Sequence, residues 1–84
     1  MNKDNIYKAF SNATRLMLLR CLYKPKSVTE MLEHCSLTQS ALSQHLKVLR
    51  DAGVVKTRKK GKIIEYSISN NKVVQITNML LNYK

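Results

Sequence analysis

At Gly53 the periodicity of this chain changes, and that change limits the folds open to it. Before the glycine, Leu42, Leu46 and Leu49 recur at i, i+4 and i+7, which places them on one face of a helix starting at Thr38. After it, Val55 and Thr57 alternate with Lys56 and Arg58. Ile64, Tyr66 and Ile68 then alternate with Glu65 and Ser67, the period of extended strands. Lys60-Gly61 supplies a turn between the two runs. The expectation is a helix, a glycine stop and a two-stranded ribbon with a basic tip.

The segments before the helix are also helical by their punctuation. Asp4 can cap a short helix from Asn5 to about Phe10, with Ile6, Ala9 and Phe10 on one face. Ser11 or Asn12 caps a second helix through Leu22, in which Leu16, Leu18, Leu19 and Leu22 supply core, and Pro25 stops it. Ser27 begins a third and has Glu30 three residues on, the spacing of a capping box. Val28, Met31 and Leu32 form its buried face. Cys35-Ser36-Leu37 is a three-residue turn, and Thr38 caps the fourth helix. Asn70 or Asn71 caps a last helix carrying Val73, Val74, Ile76, Thr77, Leu80 and Leu81. The order is helix, helix, helix, helix, strand, strand, helix: a mainly α fold with one β-hairpin.

Length and charge narrow the function. A chain of 84 residues is one domain, 1–84, that buries only roughly 60–65% of its unfolded surface, so association with a second copy is a reasonable source of stability. Fifteen Lys and Arg against five Asp and Glu give a formal net charge of +10. Lys47, Arg50, Lys56, Arg58, Lys59, Lys60 and Lys62 crowd into one stretch, opposed there by Asp51, the footprint expected for a polyphosphate partner. No apolar run approaches the ~20 residues that span a bilayer and no signal-peptide pattern opens the chain. Cys21 and Cys35 have no C-x-x-C spacing, so the expectation is two free thiols in a reducing cytoplasm.

Two helices joined by a short turn, the second opening Thr-Gln-Ser, make a helix-turn-helix. With residues 42, 46 and 49 turned inward, Gln39, Ser40, Ser43, Gln44 and Lys47 are left facing out. Gln can bond adenine bidentately, Ser can bond base edges or phosphate, and Lys can reach guanine or phosphate. Thr38 can add a phosphate contact at the helix N-terminus. Arg58, Lys59, Lys60 and Lys62 at the hairpin tip suit a phosphate ridge or a minor groove, where they supply affinity more than sequence choice.

The segments FSNATRLMLLRCL, SVTEMLEHCSLTQSALSQHLKVLRDAGVV and KTRKKGKIIEYSI resemble the arsenic-repressor (ArsR) family of winged helix-turn-helix repressors over nearly the whole chain. That resemblance implies a bacterial homodimer, joined through its first and last helices, that binds palindromic operators and releases them on binding metal or on thiol oxidation. Independently, Ile76, Leu80, Leu81 and Tyr83 on the last helix leave more apolar surface than one small core needs, with Ile6, Tyr7 and Phe10 on the first helix to meet them. His45 follows Gln44, where the family commonly has a histidine, and suits partial packing or a phosphate contact.

The family's sensor sites are not matched. Its Cys-x-Cys metal pair would fall on Val28-Thr29-Glu30-Met31, and its Asp and His site would fall on Asn70 to Lys84, which has neither. No soft metal or zinc set can be assembled at those places, so no metal and no cofactor are expected. Relatives that sense reactive sulfur place one Cys on the second helix and one on the last. Cys21 meets the first condition only. Cys21 and Cys35 are expected to be packed free thiols, with a redox pair between them as the alternative. His34 beside Cys35 does not make a site. No catalytic triad, paired carboxylates or Gly-rich phosphate loop is present, so an enzyme is not expected. The expected function is a sequence-specific double-stranded DNA-binding repressor acting as a homodimer on an inverted repeat. The alternative is a winged-helix module for a protein partner or for non-specific nucleic-acid binding.

Overall fold

The computed structural model describes residues 3–83. Five helices and three strands follow in the order α1 (Lys3–Phe10), α2 (Ala13–Cys21), β1 (Lys26–Ser27), α3 (Val28–His34), α4 (Gln39–Asp51), β2 (Val55–Lys60), β3 (Ile63–Ile68) and α5 (Asn71–Leu81). α1 begins at Lys3, so Asp4 lies inside its first turn, at the positive end of the helix, rather than capping it.

Each later helix starts on a side-chain cap. The Asn12 Oδ1 accepts from the Arg15 N–H at 3.0 Å, the Thr38 Oγ1 from the Ala41 N–H at 3.1 Å, and the Asn70 Oδ1 from the Val73 N–H at 3.2 Å. At α3 the capping box is complete: the Glu30 N–H donates to the Ser27 Oγ at 3.2 Å, and the Ser27 N–H donates to the Glu30 Oε1 at 3.0 Å. These bonds satisfy amide groups that have no partner within their own helix.

α4 stops where its sequence says it must. Gly53 takes a φ of +74°, open to glycine at little cost. The Val54 N–H donates to the Leu49 carbonyl at 3.2 Å and the Gly53 N–H to the Arg50 carbonyl at 2.9 Å. That pair of bonds is a Schellman motif, and Leu49 and Val54, which it brings together, are both buried. The reversal sends the chain straight into β2.

The hairpin closes on the Lys60↔Ile63 pair, so its two-residue loop is Gly61-Lys62, one position later than Lys60-Gly61. Gly61 has φ +58° and no non-glycine residue has positive φ among the described residues, which suits a type II′ turn with glycine first. The sheet also has a third strand. β1 pairs antiparallel with β3, Lys26 opposite Tyr66 and Ser27 opposite Glu65, giving the order β1-β3-β2. Two residues are too short to show a period of two, so only their partner strand reveals them.

The core lies under the helices and the inner end of the hairpin. Leu18, Leu19 and Leu22 of the α2 segment, Met31 of α3, and Leu42, Leu46 and Leu49 of α4 are buried with Ala9, Ala52, Val54, Val55 and Val73. Leu16, placed with these leucines by its spacing, is only half-buried. Val28, Leu32, Tyr66 and Ile68 pack against the cluster from its edge. Thr77 is buried too, and its Oγ1 donates to the Val73 carbonyl at 2.7 Å.

Candidate nucleic-acid interface

The buried leucines of α4 set the rotation of everything else on that helix. At about 100° per residue, Gln39, Ser40, Ser43, Gln44, Lys47, Arg50 and Asp51 share an arc of about 140°, and all seven are exposed. The structure thus brings together the five α4 residues picked out for base and phosphate contact. Thr38, also exposed, sits at the helix start. Its hydroxyl oxygen accepts from Ala41, which leaves the hydroxyl hydrogen to donate outward. Arg50, part of the cationic cluster in the sequence, joins this arc by the helical spacing 43, 47, 50.

His45 does not share the arc. It is half-buried in a stripe with Ala41 and Val48, about 170° round the helix from the middle of the exposed face. Its Nδ1 lies 3.5 Å from the Arg15 Nη1. The placement agrees with packing rather than with a contact beside Gln44.

On the hairpin, strand alternation sorts the cations. Cross-strand partners share a face, so the Lys56↔Ser67, Arg58↔Glu65 and Lys60↔Ile63 pairs lie on one side. The Val55↔Ile68, Thr57↔Tyr66 and Lys59↔Ile64 pairs lie on the other, the side that carries Val55, Tyr66 and Ile68 into the core. Lys56, Arg58 and Lys60 therefore form an outer row, Lys59 points the opposite way, and Lys62 sits in the turn. Lys56 belongs to this row and can be found by the period of two.

Two carboxylates temper the basic surface. Asp51 Oδ2 is 3.0 Å from Lys47 Nζ, one helical turn away, with both side chains mostly exposed. Glu65 Oε1 is 3.6 Å from Lys60 Nζ. An exposed pair such as Lys47–Asp51 contributes between nothing and about 1 kcal/mol to stability, so Lys47 can exchange its partner for a phosphate.

Between the end of α2 and the end of α3, the two thiols meet. Cys21 and Cys35 are both free and half-buried, and both line a cavity of about 460 Å³ with Arg20, Lys24, Lys26 and His34. Burial pushes the Cys35 thiol above its ordinary value. The neighbouring Cys21 adds to this by charge and by a thiol hydrogen bond, while Lys26 opposes it. The Lys26 Nζ donates to the Cys21 carbonyl. A raised value means little thiolate near neutral pH and low nucleophilicity.

Among the described residues, no three His, Cys, Asp or Glu side chains converge on a point where a metal ion could be held. The donor set does not fit the metal chemistry that the family resemblance implies. No regulatory step through a metal follows from these residues.

The residues proposed for self-association divide. Ile6, Phe10 and Ile76 surround one apolar recess with Val73 and the Gly53 turn. Tyr7 and Tyr83 are 64% and 85% exposed, and Leu80 is 42% exposed. Ile76, Met79 and Leu80 follow the i, i+3, i+4 spacing of a single stripe, while Tyr83, expected on the last helix, lies beyond its end at Leu81. Met79, 73% exposed, belongs to the stripe and is found by the same helical spacing. Leu81 is half-buried instead, on the flank of α5 near Val74, where the Tyr23 hydroxyl, from the turn after α2, donates to the Asn78 Oδ1 at 2.7 Å.

A helix-turn-helix whose second helix turns a polar arc outward, followed by a basic hairpin, defines the winged helix-turn-helix class of DNA-binding proteins. The comparisons agree. Residues 10–58 match the family model described as a helix-turn-helix domain. The chain is 36% identical over 77 residues to an uncharacterised helix-turn-helix transcriptional regulator of Methanocaldococcus jannaschii, spanning 89% of this chain and 86% of that one. It is 32% identical over 82 residues to the transcriptional repressor SdpR of Bacillus subtilis, spanning 95% and 90%. The crystal structure of the regulator HlyU of Vibrio vulnificus matches with a TM-score of 0.81 at 36% identity, over 98% of this chain and 88% of that one. That of the transcriptional repressor PagR of Bacillus anthracis matches with a TM-score of 0.82 at 35% identity, over 93% and 91%. The chain belongs to the arsenic-repressor family of winged helix-turn-helix transcriptional regulators, which are DNA-binding proteins and not enzymes. Among the described residues, no helix is long and apolar enough to cross a membrane.

Proposed function

We propose that this chain acts in the cytoplasm as a homodimeric repressor on an inverted-repeat operator whose half-sites lie about one helical turn apart. The observation that carries the reading is the exposed polar arc of α4, supported by the outer cationic row of the hairpin that follows it. α4 enters the major groove with Gln39, Ser40, Ser43 and Gln44 at the base edges. Lys47, Arg50 and the Thr38 hydroxyl take phosphates, and Lys56, Arg58, Lys60 and Lys62 hold the flanking backbone. A second copy docks through the stripe on α5 and the exposed face of α1, which supports two α4 helices facing one duplex. Occupying a promoter in this way excludes polymerase.

The dimer reading draws support from exposed apolar groups, Tyr7, Met79, Leu80 and Tyr83 among them. The repressor role draws support from relatives such as SdpR and PagR, whose names describe repressors.

Selection of bound sequences from a random duplex pool tests the reading. A palindromic consensus is expected, and replacing Gln39, Ser40, Ser43 and Gln44 together by Ala should erase it while leaving salt-sensitive binding to any duplex. Recovery of unrelated sequences by the unaltered protein would replace this reading with a non-specific or protein-binding module.

A further inference from the structure

Arg15 belongs to no surface described so far, yet it bridges three elements. It stands in the first turn of α2, half-buried. Its Nε and Nη2 donate to the Lys8 carbonyl of α1 at 3.2 and 2.6 Å. Nη2 also lies 3.5 Å from the Ser11 Oγ. Its remaining terminal nitrogen, Nη1, faces the Nδ1 of His45 on α4, thirty residues along the chain. A guanidinium only donates, so the contact is a hydrogen bond in the tautomer whose Nδ1 accepts.

The Lys8 end of this contact is strong. The carbonyl lies in the last turn of α1, at the negative end of the helix, where a cation is stabilising. The Ser11 amide and hydroxyl donate to the same oxygen at 3.3 and 2.9 Å. With two of its nitrogens tied there, the planar fork has its third direction set. That direction ends on the back of α4, on the side turned away from the exposed arc. A contact on the back of a helix resists rotation about the helix axis, and so governs the angle at which the front is presented.

We infer that Arg15 is a positioning residue for DNA reading, holding His45 so that α4 presents Gln39, Ser40, Ser43 and Gln44 at a fixed angle to α1. This rests on the proposed function. It adds that α1, one of the two helices offered for dimer contact, is joined to the reading helix by a polar latch. The two α4 helices of a dimer are then set relative to each other through Arg15, as well as through the packed leucines. The buried leucines keep α4 in place without the latch, so its loss should blur sequence choice and leave folding intact. Lysine cannot replace it, since a single ammonium on a flexible stem cannot span the Lys8 carbonyl and the His45 ring in a fixed geometry.

The test uses the full chain and a consensus duplex selected by the unaltered protein, beside an unrelated duplex of equal length. Arg15→Lys and Arg15→Met should each lose about tenfold in the ratio of specific to unrelated affinity, a size in keeping with contacts of one network. Binding to the unrelated duplex and the thermal midpoint of Arg15→Lys should change little. His45→Ala should lose a similar ratio, and adding it to Arg15→Met should cost nothing further. Retained discrimination in both Arg15 variants overturns the proposal, as do additive losses in the double variant. A fall in specific and unrelated binding together also overturns it, because that marks a general loss of structure. If the unaltered protein selects no consensus, the DNA reading itself fails and the latch with it, an outcome distinct from a consensus that Arg15 variants still discriminate.

Discussion

Removing Lys56 and Arg58 together should weaken DNA binding by an amount that the hairpin geometry sets. Both lie on the outer face, in register with Ser67 and Glu65, and both are exposed, so Lys56→Ala/Arg58→Ala takes nothing from the core. Each cation that neutralises one phosphate contributes about 0.9 to the slope of log affinity against log salt, which at 0.15 M salt is about 1 kcal/mol. Two cations on each of two copies make four phosphates. The slope should therefore fall by about 3.6 and affinity at that salt by about 4 kcal/mol, roughly a thousandfold. Lys59→Ala, on the opposite face beside Ile64, should leave the slope nearly unchanged. Fluorescence anisotropy with a labelled duplex across a salt series measures both quantities. The reasoning is refuted if Lys59→Ala flattens the slope as much as the double variant does, since the outer row would then not be the DNA-facing one.

Three further expectations address other parts of the molecule. The Glu30 carboxyl is held below its ordinary value by the Ser27 backbone and side-chain hydrogen bonds, helped by Lys26 and His34. Its stabilising effect is thus present above the unfolded value of about 4.3 and lost as pH falls through the lower folded value. Thermal melts should show Glu30→Gln below the unaltered protein near neutral pH and the gap closing in acid; a gap that widens in acid contradicts this sign. Cys35, its thiol pushed up first by burial and then by Cys21, should react with iodoacetamide at neutral pH more slowly than free cysteine and catch up only in alkali. A rate equal to free cysteine at neutral pH would mean that the thiol is not held in this way. Leu80→Glu places a charge in the exposed stripe of α5 and should convert the protein to monomer in analytical ultracentrifugation, with operator affinity falling in step; an unchanged dimer would move the interface elsewhere.

Most of the reading surface is legible in the sequence. The Thr38 cap, the leucines at 42, 46 and 49 and the glycine at 53 are local signals, and each acts on backbone torsions or on one face of one helix. Once they place α4 and its buried side, the outward position of Gln39, Ser40, Ser43, Gln44 and Lys47 follows from 3.6 residues per turn. The hairpin is equally local in its period of two, although only cross-strand register separates Lys59 from the cations on the outer face. His45 marks the boundary of this kind of reasoning. Its position in sequence suits a contact beside Gln44, while its angle on the helix turns it to the back.

The sequence by itself determined the elements, their caps and stops, and the polar arc that faces a partner. Each depends on torsional preference and periodicity within about a dozen residues. Only the tertiary structure decided that Lys26-Ser27 is a strand, that Cys21 and Cys35 share one cavity, and that Arg15 reaches from the end of α1 to the back of α4. Those depend on how separate elements cross. Crossing is set by the summed packing of a core assembled from distant parts of the chain, for which no local pattern stands proxy.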